Sequence, residues 1–114
     1  MTAAEARHLV SHALQRASAA VAERALVDAL LVATELFTNA QRHGGGLVDF
    51  TVRVVRGHLE LSVEDGNVLV PATAAARAPD APGGYGWPLV QRLARTVDVA
   101  VTATGKTIRV TLPL

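Results

Sequence analysis

The feature that most constrains this chain is a change of hydrophobic period at Gly44-Gly45-Gly46. Before the glycines, over residues 22–43, Leu26, Ala29, Leu30, Ala33, Phe37 and Ala40 gather on one side of a helix turning ~100° per residue. The glycines end that pattern, as expected at a helix C-terminus. Beyond them the period drops to two. Val48, Phe50, Val52 and Val54 share one strand face, and Asp49, Thr51 and Arg53 the other. After a turn at Arg56-Gly57, Leu59, Leu61 and Val63 alternate with His58, Glu60, Ser62 and Glu64. A one-sided helix running straight into a one-sided hairpin can bury both apolar faces only by stacking one on the other.

The flanking segments extend this scheme. Leu9, Val10, Ala13, Leu14 and Ala17 predict a helix over residues 4–19. Residues 66–86 form a long loop containing Pro71, Pro79, Pro82, Gly83, Gly84 and Gly86, and loops of that length in small domains are functional or disordered. A short helix over Leu89–Arg95 is expected to begin near Pro88, since proline suits a first helical turn. Val97, Val99 and Val101 with Ile108, Val110 and Leu112 predict a second hairpin, turning around Gly105-Lys106. The predicted fold is α+β: a two-layer α/β sandwich, its sheet mainly antiparallel, with helices on one face. All 114 residues are read as one domain.

Composition narrows the function. Net charge is +1 with the signs scattered, so there is no basic stripe for direct nucleic-acid binding. No apolar run reaches the ~18 residues of a membrane span. Cysteine is absent, which excludes disulfides and thiolate metal sites. The first residues lack the charged and apolar blocks of a signal peptide, and a cytoplasmic protein is expected.

Three constellations could carry chemistry. Glu35, Asn39 and His43 lie four residues apart on the long helix, on a stripe displaced from its apolar face. A carboxylate there could accept a proton from an attacking hydroxyl, and an amide oxygen suits Mg²⁺ already carrying phosphates. A plain solvated helix face is the other reading. Asp65 continues the inward parity of Leu59, Leu61 and Val63. A carboxylate ending a buried face requires a partner, and an adenine amino group would serve. Alternatively, Asp65-Gly66-Asn67 is a strand-ending turn. Third, Gly83, Gly84 and Gly86 precede a helix start, an arrangement that admits phosphates, although flexible loops are glycine-rich too. Two other patterns fail. Gly105-Lys106-Thr107 resembles a P-loop end, but Ala100 stands where the first glycine is needed and a strand follows. His8 and His12 have helical metal-ligand spacing but no third ligand in the motif.

In order along the chain, these pieces resemble the boxes of the histidine-kinase-like (GHKL, or Bergerat-fold) ATPase superfamily. Glu35-Leu36-Phe37-Thr38-Asn39-Ala40-Gln41-Arg42-His43-Gly44 resembles the N box, Asp65-Gly66-Asn67 the first glycine box, and Gly84-Tyr85-Gly86-Trp87-Pro88 the second. Gly105-Lys106-Thr107 resembles the turn into the last strand. Within the superfamily the chain is most similar to the stand-alone anti-sigma-factor serine kinases of actinobacteria. The resemblance implies ATP and Mg²⁺ as ligands. It implies that Asn39 binds Mg²⁺, Glu35 activates the acceptor hydroxyl, and Asp65 accepts from the adenine amino group, with Gly66 admitting the base. It also implies that Gly84 and Gly86 wrap the phosphates and that Thr107 supports adenine through water. His43, Asn67, Tyr85 and Trp87 fall within the same nucleotide-binding boxes. Asn67 replaces a small residue, Tyr85 a frequently basic one, and Trp87-Pro88 a small or aliphatic pair.

The function so implied is a serine/threonine protein kinase of the anti-sigma-factor type. It would phosphorylate a small antagonist protein and bind a sigma factor. The alternative is a non-catalytic ATP-sensing interaction module. A histidine kinase fragment is a third reading, for which the chain is too short to hold a phosphoacceptor helix domain as well. The Ala-rich first helix either covers its own sheet or meets a twin in a homodimer, and the sequence leaves both open.

Overall fold

Helix α1, Ala3–Gln15, opens with a reciprocal cap that its sequence encodes locally. The Thr2 hydroxyl accepts from the Glu5 amide at 3.1 Å, and the Glu5 carboxylate accepts from the Thr2 amide at 3.0 Å. Its buried stripe is Ala6, Val10 and Leu14, one residue per turn. Leu9, read from the sequence as part of that stripe, is exposed. Helix α2, Glu23–Arg42, buries Ala29, Val32, Ala33, Leu36, Phe37 and Ala40. The sequence pattern passed over Val32 and Leu36, while Leu26 and Leu30 lie half-buried at the margin. The computed structural model describes residues 1–17, 20–42, 45–69 and 86–114.

Strands β1 (Leu47–Val55) and β2 (His58–Asp65) form the first hairpin. Both central turn residues have positive φ, 49° at Arg56 and 79° at Gly57. That conformation matches the right-handed twist of paired strands. Helix α3 is Gly86–Leu93, starting two residues before Pro88, and strands β3 (Thr96–Val101) and β4 (Lys106–Pro113) follow. The sheet order is β1-β2-β4-β3, antiparallel at every pairing. One face is lined by Phe50, Leu59, Leu61, Val63, Ile108, Val110 and Leu112, packed with the buried stripes of α1 and α2 and with Trp87 and Val90 of α3. The other face is polar, with Arg53 and Arg109 reaching Glu60 at 3.1 and 3.8 Å. Exposed ion pairs of this kind add little stability. The expected two-layer α+β sandwich is thus what forms.

The second hairpin corrects one expectation. Its turn is residues 102–105, and Lys106 is the first residue of β4. The Thr102 hydroxyl accepts from the Gly105 amide at 3.1 Å, and the Thr102 amide donates to the Gly105 carbonyl at 2.9 Å. The turn therefore closes before Lys106, which is released into the ladder opposite Asp65 and Val101.

Two glycines give a controlled comparison. A Cβ on Gly57 meets open space, so alanine there suffers only from its positive φ, about 1–2 kcal/mol. A Cβ on Gly105 would lie 2.0 Å from the Asp65 carbonyl oxygen, which is backbone and cannot rotate aside. In urea titrations Gly105→Ala should lose about 3 kcal/mol or more, clearly more than Gly57→Ala.

Candidate functional site

Several segment ends meet at one end of the sandwich. The Gly46 amide donates to the Ala40 carbonyl at 3.1 Å, and the Gly66 amide donates to the Gly46 carbonyl at 3.3 Å. The last turns of α2 are thereby tied to the turn that follows β2. Gly105, entering β4, packs on the Asp65 carbonyl and the Gly66 Cα. The convergence follows from strand direction, because β2 ends and β4 begins at the same edge.

Asp65 lies on the inner face as its parity predicts, and it is buried. Its partner within the chain is Lys106. The ammonium sits 3.1 Å from Oδ1 and 3.0 Å from Oδ2, and both side chains are only 4% exposed. Lys106 Nζ also donates to the Asn67 carbonyl at 3.0 Å, while the Asn67 amide donates to Asp65 Oδ1 at 3.0 Å. The turn, the carboxylate and the ammonium form one connected network. Lys106 is the residue that motif reading missed. Its signal was available: the parity of Ile108, Val110 and Leu112 runs back to position 106 just as that of β2 runs on to Asp65. Thr107, expected near adenine, pairs with Glu64 and Ala100 and sits on the alternate set of β4 positions. The structure does not bring it to Asp65.

Glu35 is half-buried on α2 and faces the first residue of α3. A Cβ on Gly86 would lie 2.1 Å from Glu35 Oε2 and 2.9 Å from its carboxyl carbon, so only glycine admits the carboxylate in this position. An anion near a helix N-terminus is electrostatically favoured. Asn39, half-buried, follows one turn later, toward the end of α2 that leads to the Asp65 turn. Asn67 is half-buried, and its side chain accepts from the Leu69 amide at 2.9 Å. Trp87 is a core residue, 5% exposed. His43, Gly84 and Tyr85, together with most of the expected loop over 66–86, lie outside the described residues.

The chain matches the histidine kinase-like ATPase domain family over residues 2–112. It belongs to that family. This histidine kinase-like ATPase domain also resembles solved structures in fold. It superposes on the histidine kinase domain from the Erythrobacter litoralis EL346 blue-light activated histidine kinase with a TM-score of 0.63 at 21% identity. That match covers 98% of this chain and 59% of the other. The Erythrobacter litoralis EL346 blue-light activated histidine kinase itself gives 0.60 at 22% identity, covering 97% of this chain and 40% of that one. The ATPase domain described here thus spans about half the length of the structures it matches. No curated protein sequence matches it significantly.

Among the described residues of this ATPase domain, no group of three or more His, Asp or Glu side chains could hold a metal, and no helix is long and apolar enough to cross a membrane. A divalent ion held through a single amide oxygen takes its remaining ligands from phosphate oxygens and water. The glycine contact at Glu35 and the segment ends gathered around Asp65 fit a nucleotide lying across this end of the sandwich. Among the described residues, Lys106 and Thr107 depart from such a fit.

The Asp65–Lys106 pair also sets a stability expectation. Lys106→Ala leaves a buried carboxylate without its counter-ion and should cost about 3–5 kcal/mol. Replacing both partners, as Asp65→Leu with Lys106→Met, should recover most of that loss. Denaturant midpoints of the single and double variants check both.

Proposed function

We propose that this chain binds Mg-ATP at the end of the sandwich between α2, the Asp65 turn and the start of α3, and acts as a serine/threonine protein kinase of the anti-sigma-factor type. The observation that carries the reading is the placement of Glu35 and Asn39. They stand one turn apart on α2, with Gly86 against the first and the Asp65 turn beyond the second. Family membership supports ATP as the ligand.

In this reading Asn39 holds Mg²⁺ through its amide oxygen, and the metal supplies charge neutralisation at the phosphates. Gly86, with Gly84 before it, brings backbone amides to the phosphates at the head of α3. Glu35 orients the acceptor hydroxyl. As that oxygen bonds to the γ-phosphorus, the hydroxyl proton passes to the Glu35 carboxylate and ADP leaves. Positioning and electrostatics do most of the work in such transfers. The acceptor is a serine or threonine on a small antagonist protein, and the second partner is a sigma factor. Asp65 faces the purine, and His43, Asn67, Tyr85 and Trp87 belong to the segments bordering the nucleotide. The protein is expected to work in the cytoplasm.

A non-catalytic ATP-sensing module is favoured by a separate observation, the neutralisation of Asp65 by Lys106 within the chain. Glu35→Ala separates the two. In a kinase, transfer of labelled phosphate from ATP to a candidate antagonist protein should fall by about 10²–10⁴, the usual contribution of a positioned base, while calorimetric ATP affinity stays within a few-fold. Unaltered partner regulation by the variant, with ATP binding intact, supports the sensing module. Absence of ATP binding by the wild-type chain defeats both.

A further inference from the structure

The end of the sandwich remote from Asp65 holds a cavity that the nucleotide reading does not use. Strand β2 begins there, at the Arg56-Gly57 turn, and a cavity of about 560 Å³ lies between that turn and the end of α1. We propose that this cavity binds a small organic anion, a single carboxylate on a short apolar body, with Arg16 and Arg56 holding the carboxylate.

The apolar half of the site comes from small side chains. Val54 continues the inner parity of Phe50 and Val52, and its ladder partner Leu59 is fully buried. Val54 itself is 36% exposed. The nearest side chains from the end of α1 are Ala13 and Ala17, which are too short to cover it, and Val21 closes the gap from the side. Clefts of about 300–1,000 Å³ with apolar walls and a few convergent polar groups are the usual form of small-molecule sites.

The polar half is cationic. Arg16 and Arg56 both line the cavity, and no acidic side chain does. Neither guanidinium has an ion-pair or hydrogen-bond partner among the described residues. Arg16 caps α1, and a helix C-terminus carries about half a negative charge. Two of its last carbonyls are already bonded, that of His12 to the Arg16 amide and that of Leu14 to the Ala17 amide. Two full positive charges outweigh the remainder, and the lining stays net positive even with a carboxylate at Leu114, which also borders the cavity. Guanidinium forks match carboxylates in a bidentate fashion. Arg56 borders a second hollow, on the outer face of the sheet, but Glu60 lines that one and would repel an anion.

The backbone at Arg56 supports the same reading independently. Its φ is 49°, in a two-residue turn whose positive-φ positions favour Asn, Asp and Gly. Unfavourable backbone of this kind persists only where its surroundings fix it, and it gathers at ligand sites. The surroundings here do fix it. The Gly57 carbonyl accepts from the Leu114 amide at 3.0 Å, and His58 Nδ1 lies 3.2 Å from the Arg56 carbonyl. Asparagine would relieve the turn and remove the charge, so what arginine adds at this position is the guanidinium.

Calorimetric titration of the full chain with sodium octanoate, octanol and sodium acetate tests the proposal. Octanoate should bind saturably with a Kd below about 1 mM, and octanol and acetate at least about tenfold more weakly. Amide NMR shifts induced by octanoate should centre on Ala13, Ala17, Val21 and the Val54–Gly57 segment. Absence of saturable octanoate binding overturns the proposal, as do shifts centred on Asp65 and Gly86. Octanol binding as tightly as octanoate makes the cavity merely apolar, acetate binding as tightly reduces the site to ion pairing, and either result overturns it too. Arg16→Gln combined with Arg56→Asn should weaken octanoate at least about tenfold, and unchanged affinity in that variant overturns the assignment of the two arginines. Arg56→Asn alone should raise the thermal midpoint while weakening octanoate. A lowered midpoint overturns the reading of Arg56 as a residue held in a costly conformation for its charge.

Discussion

The pairing of β2 with β4 is the constraint on which the rest of this structure depends. Every other sheet contact lies within a hairpin and is closed by a short turn. This one joins residues about fifty apart in sequence and must offset the larger loop-closure entropy. Its inner face is an apolar ladder, Leu59 with Leu112, Leu61 with Val110 and Val63 with Ile108. A slip of one residue would turn Ser62 and Arg109 toward the helices, so the alternation enforces the register. At the end of the ladder the apolar rungs give way to Asp65 and Lys106. Opposite charges in the last rung extend the same register requirement to the edge of the core, where hydrophobic burial fades.

That edge is also where polar groups gather. A strand pair that stayed apolar to its end would close the sandwich over. Here the final rung is polar, the neighbouring turns are glycines and an asparagine, and α2 and α3 bring Glu35 and Gly86 together beside it. The glycines at positions 86 and 105 admit contacts that a side chain would prevent, one with a carboxylate and one with a backbone carbonyl. The candidate site is thus assembled from element ends, beside the apolar ladder and not within it.

Much of this was legible in the amino-acid sequence. Period-two alternation gave both hairpins, although a register shift between Leu47 and Asp49 leaves Val48 exposed, and the inward parity of Asp65 offered a buried carboxylate with a plain strand-ending turn as the alternative. The order of the helices and strands followed from the positions of the glycines and prolines. What escaped had physical reasons. The turn at 102–105 was displaced because a threonine hydroxyl closes it, a signal weaker to the eye than Gly-Lys. Lys106 was passed over because a lysine beside a glycine reads as turn chemistry, and long cationic side chains are rarely fully buried unless paired. Leu9 and Val32 were misplaced because an Ala-rich helix offers apolar residues on several faces, leaving the docking stripe to be chosen by tertiary packing. Thr107 was carried over by motif order alone, and alternation puts it on the other side of the strand.

The network around Asp65 has a consequence for the end of the sheet. A buried carboxylate without an internal counter-ion would carry a large solvation penalty there. The Lys106 ammonium removes it from within the chain. The last rung of the β2–β4 ladder is therefore held by the chain's own charges, and the edge of the core stays ordered where its apolar neighbours end.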